Sequence, residues 1–168
     1  DRLIFMTNGK ILLLGTNLGD LRHNLVRCRE MIRSRVGEIV QTSAIYETAA
    51  WGKTNQPAFL NQVLMVETDL PPQQLLSTLN TIEAEMGRVR KEKWGERLID
   101  IDILYYDDKL VDTIDLKIPH PEIARRRFTL EPLDELVPDL IDPLHKRSIQ
   151  DLLAACSDGS MVIKKTDT

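Results

Sequence analysis

Two aspartates two positions apart, Asp100 and Asp102, are the residues whose type and spacing most directly indicate chemistry. Residues 97–104 alternate, which predicts a strand with both aspartates on one face and the intervening isoleucines on the other. Such side chains lie roughly 6.5 Å apart, so two carboxylates repel each other unless a cation lies between them. Carboxylate oxygens suit Mg²⁺ or Mn²⁺ that also binds phosphate and water, and no cysteine or histidine lies nearby to favour zinc. The pair therefore predicts a divalent metal that arrives with a phosphate substrate.

The alternative is that both aspartates are simply exposed on the solvent face of an edge strand. Aspartate is uncommon in strands, and like charges at neighbouring positions of one face are unfavourable, which counts against this alternative. The preceding loop also counts against it, because residues 87–97 hold five cations against two acids in a chain of net charge −4. These cations are Arg88, Arg90, Lys91, Lys93 and Arg97. A basic loop that leads into an acidic strand indicates a site for a metal and a polyphosphate.

Length and composition limit the classes to which the chain can belong. With 168 residues and 42% hydrophobic content, one domain can bury a full core, and no apolar run reaches the length of a membrane span. A net negative charge argues against a general nucleic-acid binder, because duplex affinity comes largely from cations that neutralise phosphates. Cys28 and Cys156 form no pair motif, so the cytoplasm is the expected compartment. We expect a monomer that binds neither nucleic acid nor membrane.

The elements that position the acid pair follow from hydrophobic periodicity. Residues 11–14 predict a central strand ended by Gly15, and Asp20 predicts the N-cap of a helix. The glycines at 15 and 19 lack the lysine and hydroxyl of a phosphate-binding loop, so they predict a turn. Residues 39–47 and 59–67 predict two more strands, and Pro71-Pro72 opens a second helix that Gly87 closes.

The order of these elements predicts the fold class. Strand, helix, strand, strand, helix, strand is the ferredoxin-like βαββαβ arrangement, an α+β fold with an antiparallel sheet. Segments 121–127 and 148–155, the second with a capping box from Ser148 to Asp151, are predicted to cover the other face and give three α/β/α layers. We expect one domain over residues 11–156. Residues 1–10 are expected to be an N-terminal extension, partly an expression remnant before Met6, and residues 157–168 a frayed C-terminal tail.

The acid strand and its flanks carry a family resemblance. Trp-Gly-x-Arg followed by Asp-x-Asp and aliphatic residues, here from Trp94 to Leu104, resembles the signature of the 6-hydroxymethyl-7,8-dihydropterin pyrophosphokinases. Leu14-Gly15-Thr16-Asn17-Leu18-Gly19 and Pro119-His120-Pro121 support it, and the resemblance runs from about residue 11 to residue 153. It implies that the small-molecule substrates are ATP and the pterin, and that the enzyme moves the β,γ-diphosphate of ATP onto the pterin alcohol in folate biosynthesis.

The resemblance also assigns residues to the metal and to ATP. Asp100 and Asp102 match the family's ligands for two Mg²⁺ ions that bridge the ATP phosphates. Arg88 and Arg97 match catalytic arginines that engage the phosphates, for which the planar guanidinium is suited. The other positions that match residues around ATP are Glu83, Arg90, Trp94, Ile103, His120 and Arg126.

For the pterin, the resemblance implies an aromatic sandwich. Phe59 and Phe128 match the two rings that stack on the bicycle, and Asn61 matches the residue that reads its polar edge. Backbone groups near Thr48 and Trp51 are expected to complete the pocket. Taken alone, the two phenylalanines are more typical of a core, and His120 between prolines is more typical of a turn. The arginines at 125–127 have a solvated charge run as their alternative, and the motif matches only Arg126 among them.

Two other functions fit the predicted fold without the resemblance. A non-enzymatic ferredoxin-like module that binds a metabolite explains the fold and a pocket, but it gives no reason for two acids beside five cations. A ferredoxin-like RNA binder requires paired aromatics on its central strands, and aromatic residues make up only 5% of the chain.

Overall fold

The computed structural model describes residues 8–49, 57–87 and 98–165. The helices and strands in chain order are β1 (Lys10–Thr16), α1 (Leu21–Arg35), β2 (Glu38–Thr42), β3 (Ile45–Thr48), β4 (Phe59–Glu67), α2 (Pro72–Met86), β5 (Asp100–Tyr106), β6 (Val111–Asp112), β7 (Lys117–Ile118), α3 (Arg127–Leu136), α4 (Ile149–Ala154) and β8 (Val162–Lys165). A 3-10 helix, Ile123–Arg125, precedes α3.

One antiparallel sheet contains the strands that carry the predicted site. Its strand order is β5-β1-β4-β3-β8, and β2 also pairs with β4. The apolar strand β1 lies between β4 and β5, as its continuous burial requires. The short strands β6 and β7 form a separate pair. The sheet therefore brings β4 and β5, which are distant in sequence, to the two sides of β1.

Helices cover both faces of this sheet, which confirms the predicted three-layer α+β architecture. Leu12 and Leu14 of β1 belong to the core that α1 and α2 close, whereas Ile11 and Leu13 belong to the core that α3 and α4 close. This division follows from the alternation of side chains along a strand. We call the side of the sheet that packs against α3 and α4 the α3 face.

The predicted helix caps are confirmed. The Asp20 carboxylate accepts a hydrogen bond from the backbone N–H of His23, at 3.2 Å. Helix α2 begins at Pro72, and the Ser148 hydroxyl accepts from the backbone N–H of Asp151 at the start of α4. Within the ranges that the structure describes, no helix is both long enough and apolar enough to cross a membrane.

Three sequence expectations are corrected. The strand expected over residues 39–47 is two strands, because the chain breaks at Ser43, whose hydroxyl accepts from the N–H of Val63. Strand β1 does not end at Gly15 but continues through Thr16. The expected frayed tail contains β8, which pairs with β3 because Asp158 and Arg127 hold the preceding segment to the start of α3.

Helix α3 extends the third layer well beyond the predicted segment 121–127. It contains Pro132, an internal proline that obscures a helical pattern in sequence. The apolar residues of α3 pack against the sheet, and Leu130 and Leu133 are fully buried. This packing outweighs the hydrogen bond that the proline cannot make and places Phe128, at the start of the helix, beside the ends of β1 and β4.

Candidate active site

A cavity of about 500 Å³ opens on the α3 face, where β1, β3, β4 and β5 approach the start of α3. Many of the residues singled out from the sequence line it, namely Thr48, Phe59, Asn61, Asp100, Asp102, Arg126 and Phe128. Other lining residues are Leu13, Gly15, Ala49, Glu122 and Arg125. Tertiary structure thus brings together the predicted metal ligands and the predicted pterin residues.

The acid pair lies on β5 at one side of the cavity. Asp100 and Asp102 are half-buried and share the α3 face, while Ile101 and Ile103 point into the core beneath α1 and α2. In the sheet, Asp100 pairs with Gly15 of β1 and Asp102 with Leu13. The strand geometry therefore holds the two carboxylates in parallel directions, as the alternation predicted.

The donor set fits a metal that takes most of its ligands from elsewhere. Among residues 8–49, 57–87 and 98–165, no three His, Cys, Asp or Glu side chains gather into a metal site. Two carboxylates on one strand can still hold Mg²⁺, since this ion commonly keeps one or two carboxylates and completes its octahedron with phosphate oxygens and water.

A second group of side chains forms the opposite part of the cavity. Phe59 and Asn61 lie two positions apart on β4 and therefore share one face, and Phe128 comes from α3. The Asn61 amide donates to the backbone carbonyl of Leu14, at 3.2 Å, and therefore lies across β1. The Thr48 hydroxyl oxygen is buried beside this group and has no hydrogen-bond partner among the residues that the structure describes. Two rings, an amide and an unpaired hydroxyl can hold a flat, polar-edged ring.

The arginine run at 125–127 does not behave as one solvated face. Arg125 forms an ion pair with Glu122 at 2.8 Å, and the guanidinium of Arg126 lies 5.6 Å from the ring centre of Phe128. Arg127 instead donates to the backbone carbonyls of Asp158 and Cys156. Sequence reasoning missed Glu122 and Arg125 as cavity residues, because their i,i+3 spacing indicates a pair but not the direction in which it faces.

His120 lies next to the cavity, held by its backbone and its ring. Its N–H donates to the carbonyl of Leu104, and its ring Nδ1 accepts from the N–H of Glu122, at 3.1 Å. Burial lowers the pKa of His120, the Asp102 carboxylate opposes this change, and Arg126 adds to it. A lowered pKa favours the neutral ring near pH 7, so the His120 ring acts as a hydrogen-bonding group and not as a cation.

Other predicted ATP residues lie away from the cavity or outside the described residues. Glu83 reaches from α2 to the backbone of β5, and the Ile103 side chain is in the core on the α1 and α2 side of the sheet. A direct contact from Ile103 to a ligand in the cavity is therefore restricted to its backbone. The predicted site residues outside the described ranges are Trp51, Arg88, Arg90, Trp94 and Arg97.

Comparison with known proteins identifies the family. Residues 11–138 match the family described as 7,8-dihydro-6-hydroxymethylpterin-pyrophosphokinase (HPPK). The chain belongs to this family. A relative from Aquifex aeolicus, named 2-amino-4-hydroxy-6-hydroxymethyldihydropteridine pyrophosphokinase, is 41% identical over 138 residues, covering 82% of this chain and 86% of the relative. A relative of the same name from Pseudomonas aeruginosa is 40% identical over 144 residues, covering 85% of this chain and 88% of the relative. The family predicted from the motif around the acid strand is confirmed.

Solved structures of HPPK domains have the same fold. Wild-type HPPK-DHPS of Plasmodium falciparum, crystallised with pteroate, superposes with a TM-score of 0.71 at 18% identity, over 88% of this chain and 42% of that chain. A triple mutant of the same protein gives a TM-score of 0.70 at 20% identity over 88% of this chain and 44% of that chain. This chain thus spans less than half of those solved chains, and the likeness confirms the predicted fold class.

Proposed function

We propose that this protein transfers the β,γ-diphosphate of ATP to the hydroxymethyl group of 6-hydroxymethyl-7,8-dihydropterin, giving AMP and the pterin diphosphate in folate biosynthesis. The family and the names of its relatives support pyrophosphokinase activity and do not favour a non-enzymatic metabolite-binding module. The observation that carries the proposal is that one cavity joins the acid pair Asp100 and Asp102 to the aromatic and amide group Phe59, Asn61 and Phe128.

The proposed reaction is a single displacement at the β-phosphorus of ATP. The pterin hydroxymethyl oxygen forms a bond to this phosphorus, and the bond from the phosphorus to the α,β-bridging oxygen breaks. That oxygen leaves with AMP, and the hydroxyl proton is released. The protein's main task is to hold the attacking oxygen and the phosphorus in line and to neutralise the phosphate charge.

The metal is part of the proposal. Asp100 and Asp102 would hold two Mg²⁺ ions together with ATP phosphate oxygens. When bound, the ions would neutralise charge on the polyphosphate and lower the pKa of the attacking alcohol. The chain contributes a stiff strand that aims both carboxylates into the cavity, so the ligands need little reorganisation when nucleotide binds.

The cavity residues of β3, β4 and α3 are proposed to bind the pterin. Phe59 and Phe128 would stack on its two faces, each stack contributing about 0.5 to 1.5 kcal/mol beyond the buried area. Asn61 would hydrogen-bond its edge and so exclude rings without matching donors and acceptors. The buried Thr48 hydroxyl supports this assignment, because an unpaired buried polar group is costly unless a ligand completes it.

The cations are proposed to bind ATP. Arg126 lines the cavity, and His120 interacts electrostatically with both Arg126 and Asp102, which supports their roles beside the phosphates. Glu83 and Ile103, and Arg88, Arg90, Trp94 and Arg97 outside the described residues, remain predictions from the family resemblance, as does Trp51 for the pterin.

Two broader features also remain proposals. We expect one domain that begins near residue 11, as predicted, and extends past the predicted boundary at residue 156, because β8 belongs to the same sheet. We also expect a monomer in the cytoplasm, a location that the two unpaired cysteines support. Mass measurement in solution at micromolar concentration tests the monomer, and a stable dimer would contradict it.

The products of one incubation test the reaction. Purified protein is mixed with ATP, Mg²⁺ and the reduced pterin alcohol, and nucleotides are separated by chromatography while ³¹P NMR follows the pterin diphosphate. We expect AMP and pterin diphosphate in equal amounts, with none formed when pterin or Mg²⁺ is omitted. Accumulation of ADP would indicate transfer of a single phosphoryl group, and pterin binding without any AMP would instead support the binding module.

A further inference from the structure

Gly15 occupies the floor of the cavity between its two functional parts. In the sheet it pairs with Asn61 of β4 on one side and with Asp100 of β5 on the other. Neighbouring strands lie about 4.8 Å apart, so Asp100 and Asn61 are separated by roughly 10 Å across this glycine. The hydroxymethyl oxygen of a pterin read by Asn61 and the β-phosphorus of a nucleotide held at Asp100 must meet in the space above it.

The missing side chain of Gly15 accommodates the Asn61 amide. A Cβ atom built on Gly15 would lie 2.8 Å from Asn61 Nδ2, and no other heavy atom of the described residues lies within 4 Å of it apart from its chain neighbours. The same Asn61 nitrogen donates to the carbonyl of Leu14, so the amide rests directly on the backbone of β1. A methyl group at position 15 would therefore displace this amide while leaving the rest of the site in place.

A glycine at this position makes strand β1 less stable, so its presence there points to a steric requirement. Glycine weakens a strand, because it loses more conformational freedom on folding than other residues and packs no side chain. Gly15 nevertheless lies inside β1 with backbone pairing on both sides. A glycine within a strand often marks a close approach of another group, and here that group is Asn61.

We propose that Gly15 is a positioning residue for pterin recognition: its lack of a Cβ allows the Asn61 amide to lie across β1 and keeps the space above the strand open between Asn61 and Asp100. This inference rests on the proposed function, since Asn61 is there the group that reads the pterin edge. The inference predicts that a side chain at position 15 weakens pterin binding and has little effect on nucleotide binding, because the added methyl group does not reach Asp100.

Gly15→Ala tests the inference, with Gly159→Ala as the matched control because, among the residues that the structure describes, no heavy atom lies within 4 Å of a Cβ at Gly159. We expect Gly15→Ala to fold, since the clashing atom is the end of a side chain, and to move the Asn61 side-chain amide signals in a ¹⁵N–¹H spectrum. Pterin affinity, measured by calorimetry with a non-hydrolysable ATP analogue and Mg²⁺, is expected to fall about tenfold, because a misplaced amide leaves polar groups unpaired. Affinity for the ATP analogue alone should change less than about twofold, since Asp100 is untouched.

A double-mutant cycle with Asn61→Ala separates positioning from a general structural role. If Gly15 acts through Asn61, adding Gly15→Ala to Asn61→Ala should weaken pterin binding by less than about twofold. An equally large loss in both backgrounds, or wild-type pterin affinity in Gly15→Ala, would overturn the inference. If wild-type protein neither binds pterin nor forms AMP, the proposed function fails and the inference with it. An active wild type with an equally active Gly15→Ala variant would refute the inference alone.

Discussion

The Glu83 carboxylate of α2 accepts a hydrogen bond from the backbone N–H of Ile101, at 2.7 Å, on the peptide between the two aspartates of β5. Strand β5 pairs with β1 along one edge, and Glu83 holds this N–H on its other edge. The helix thereby fixes the strand that aims Asp100 and Asp102 into the cavity. A residue matched by the family resemblance to the ATP site thus also has a structural role.

Removing the Glu83 carboxylate should weaken the metal site without touching a metal ligand. We predict that Glu83→Ala lowers the affinity for Mg²⁺ with an ATP analogue by about tenfold, since partners that orient ligands typically contribute that much. Glu83→Gln, which keeps an acceptor oxygen, should lose less. The control is Glu85→Ala on the same helix, where the ion pair with Arg35 is on the surface. Equal affinities in Glu83→Ala and Glu85→Ala would contradict the prediction.

Neutralising either aspartate should abolish most turnover and leave the fold intact. We predict that Asp100→Asn and Asp102→Asn each reduce kcat at least about a hundredfold, because charge stabilisation at the reacting phosphate is lost. The far-UV circular dichroism spectrum should stay the same, since asparagine keeps the size of the side chain and the apolar residues of β5 remain in place. Mn²⁺ binding followed by electron paramagnetic resonance gives a readout independent of turnover. Asp112→Asn, at an exposed ion pair with Lys117, is the control. Near-normal turnover in either site variant would contradict the assignment of Asp100 and Asp102 as metal ligands.

Removal of the Thr48 hydroxyl should stabilise the ligand-free protein and weaken pterin binding. We predict that Thr48→Val raises the free energy of unfolding of the ligand-free protein by about 1 kcal/mol, because a buried polar atom without a partner is removed. Pterin affinity should fall by about tenfold if the hydroxyl bonds the ligand, since one buried hydrogen bond is lost. Thr48→Ser, which keeps the hydroxyl, serves as the comparison in calorimetry and denaturant titration. A Thr48→Val protein with unchanged pterin affinity would remove Thr48 from the pocket.

The Asp158 carboxylate holds the C-terminal segment to the start of α3, and we predict that this anchoring weakens at acid pH. Burial alone would raise the pKa of Asp158, but hydrogen bonds from the Ser160 hydroxyl and from the backbone N–H groups of Arg127 and Ser160, with the charge of Arg127, lower it overall. A lowered pKa in the folded state contributes stability above the unfolded-state value near 4, and this contribution is lost as pH falls through the lower folded value.

The prediction is tested by the melting temperature of Asp158→Asn against wild type from neutral pH down to about pH 3. Wild type should be the more stable protein at neutral pH, and the difference should shrink with acidification, because both side chains are then uncharged. A difference that stays constant over this range would show that the carboxylate charge does not contribute. Because Arg127 begins α3, one residue before Phe128, weaker pterin binding should accompany the loss of this anchor.

Local periodicity was sufficient to predict the parts of the site that lie on one strand or one helix. The alternation around Asp100 and Asp102 predicted a shared face, and the caps at Asp20 and Ser148 predicted helix starts. The family was also evident from the motif around Trp94, since it depends on contiguous residues. These features depend on neighbours a few positions away, so side-chain direction and backbone propensity determine them.

Tertiary structure decided which distant segments meet. Gly15 was interpreted as the end of a strand, but pairing on both sides places it between Asn61 and Asp100. From the sequence, a solvated run was an alternative for the arginines at 125–127, of which the motif matched only Arg126. In the structure each has a different partner, because the 3-10 helix ends and α3 begins within them. Strand register and the packing of helices against a sheet depend on the whole core, so these relationships could not follow from spacing along the chain.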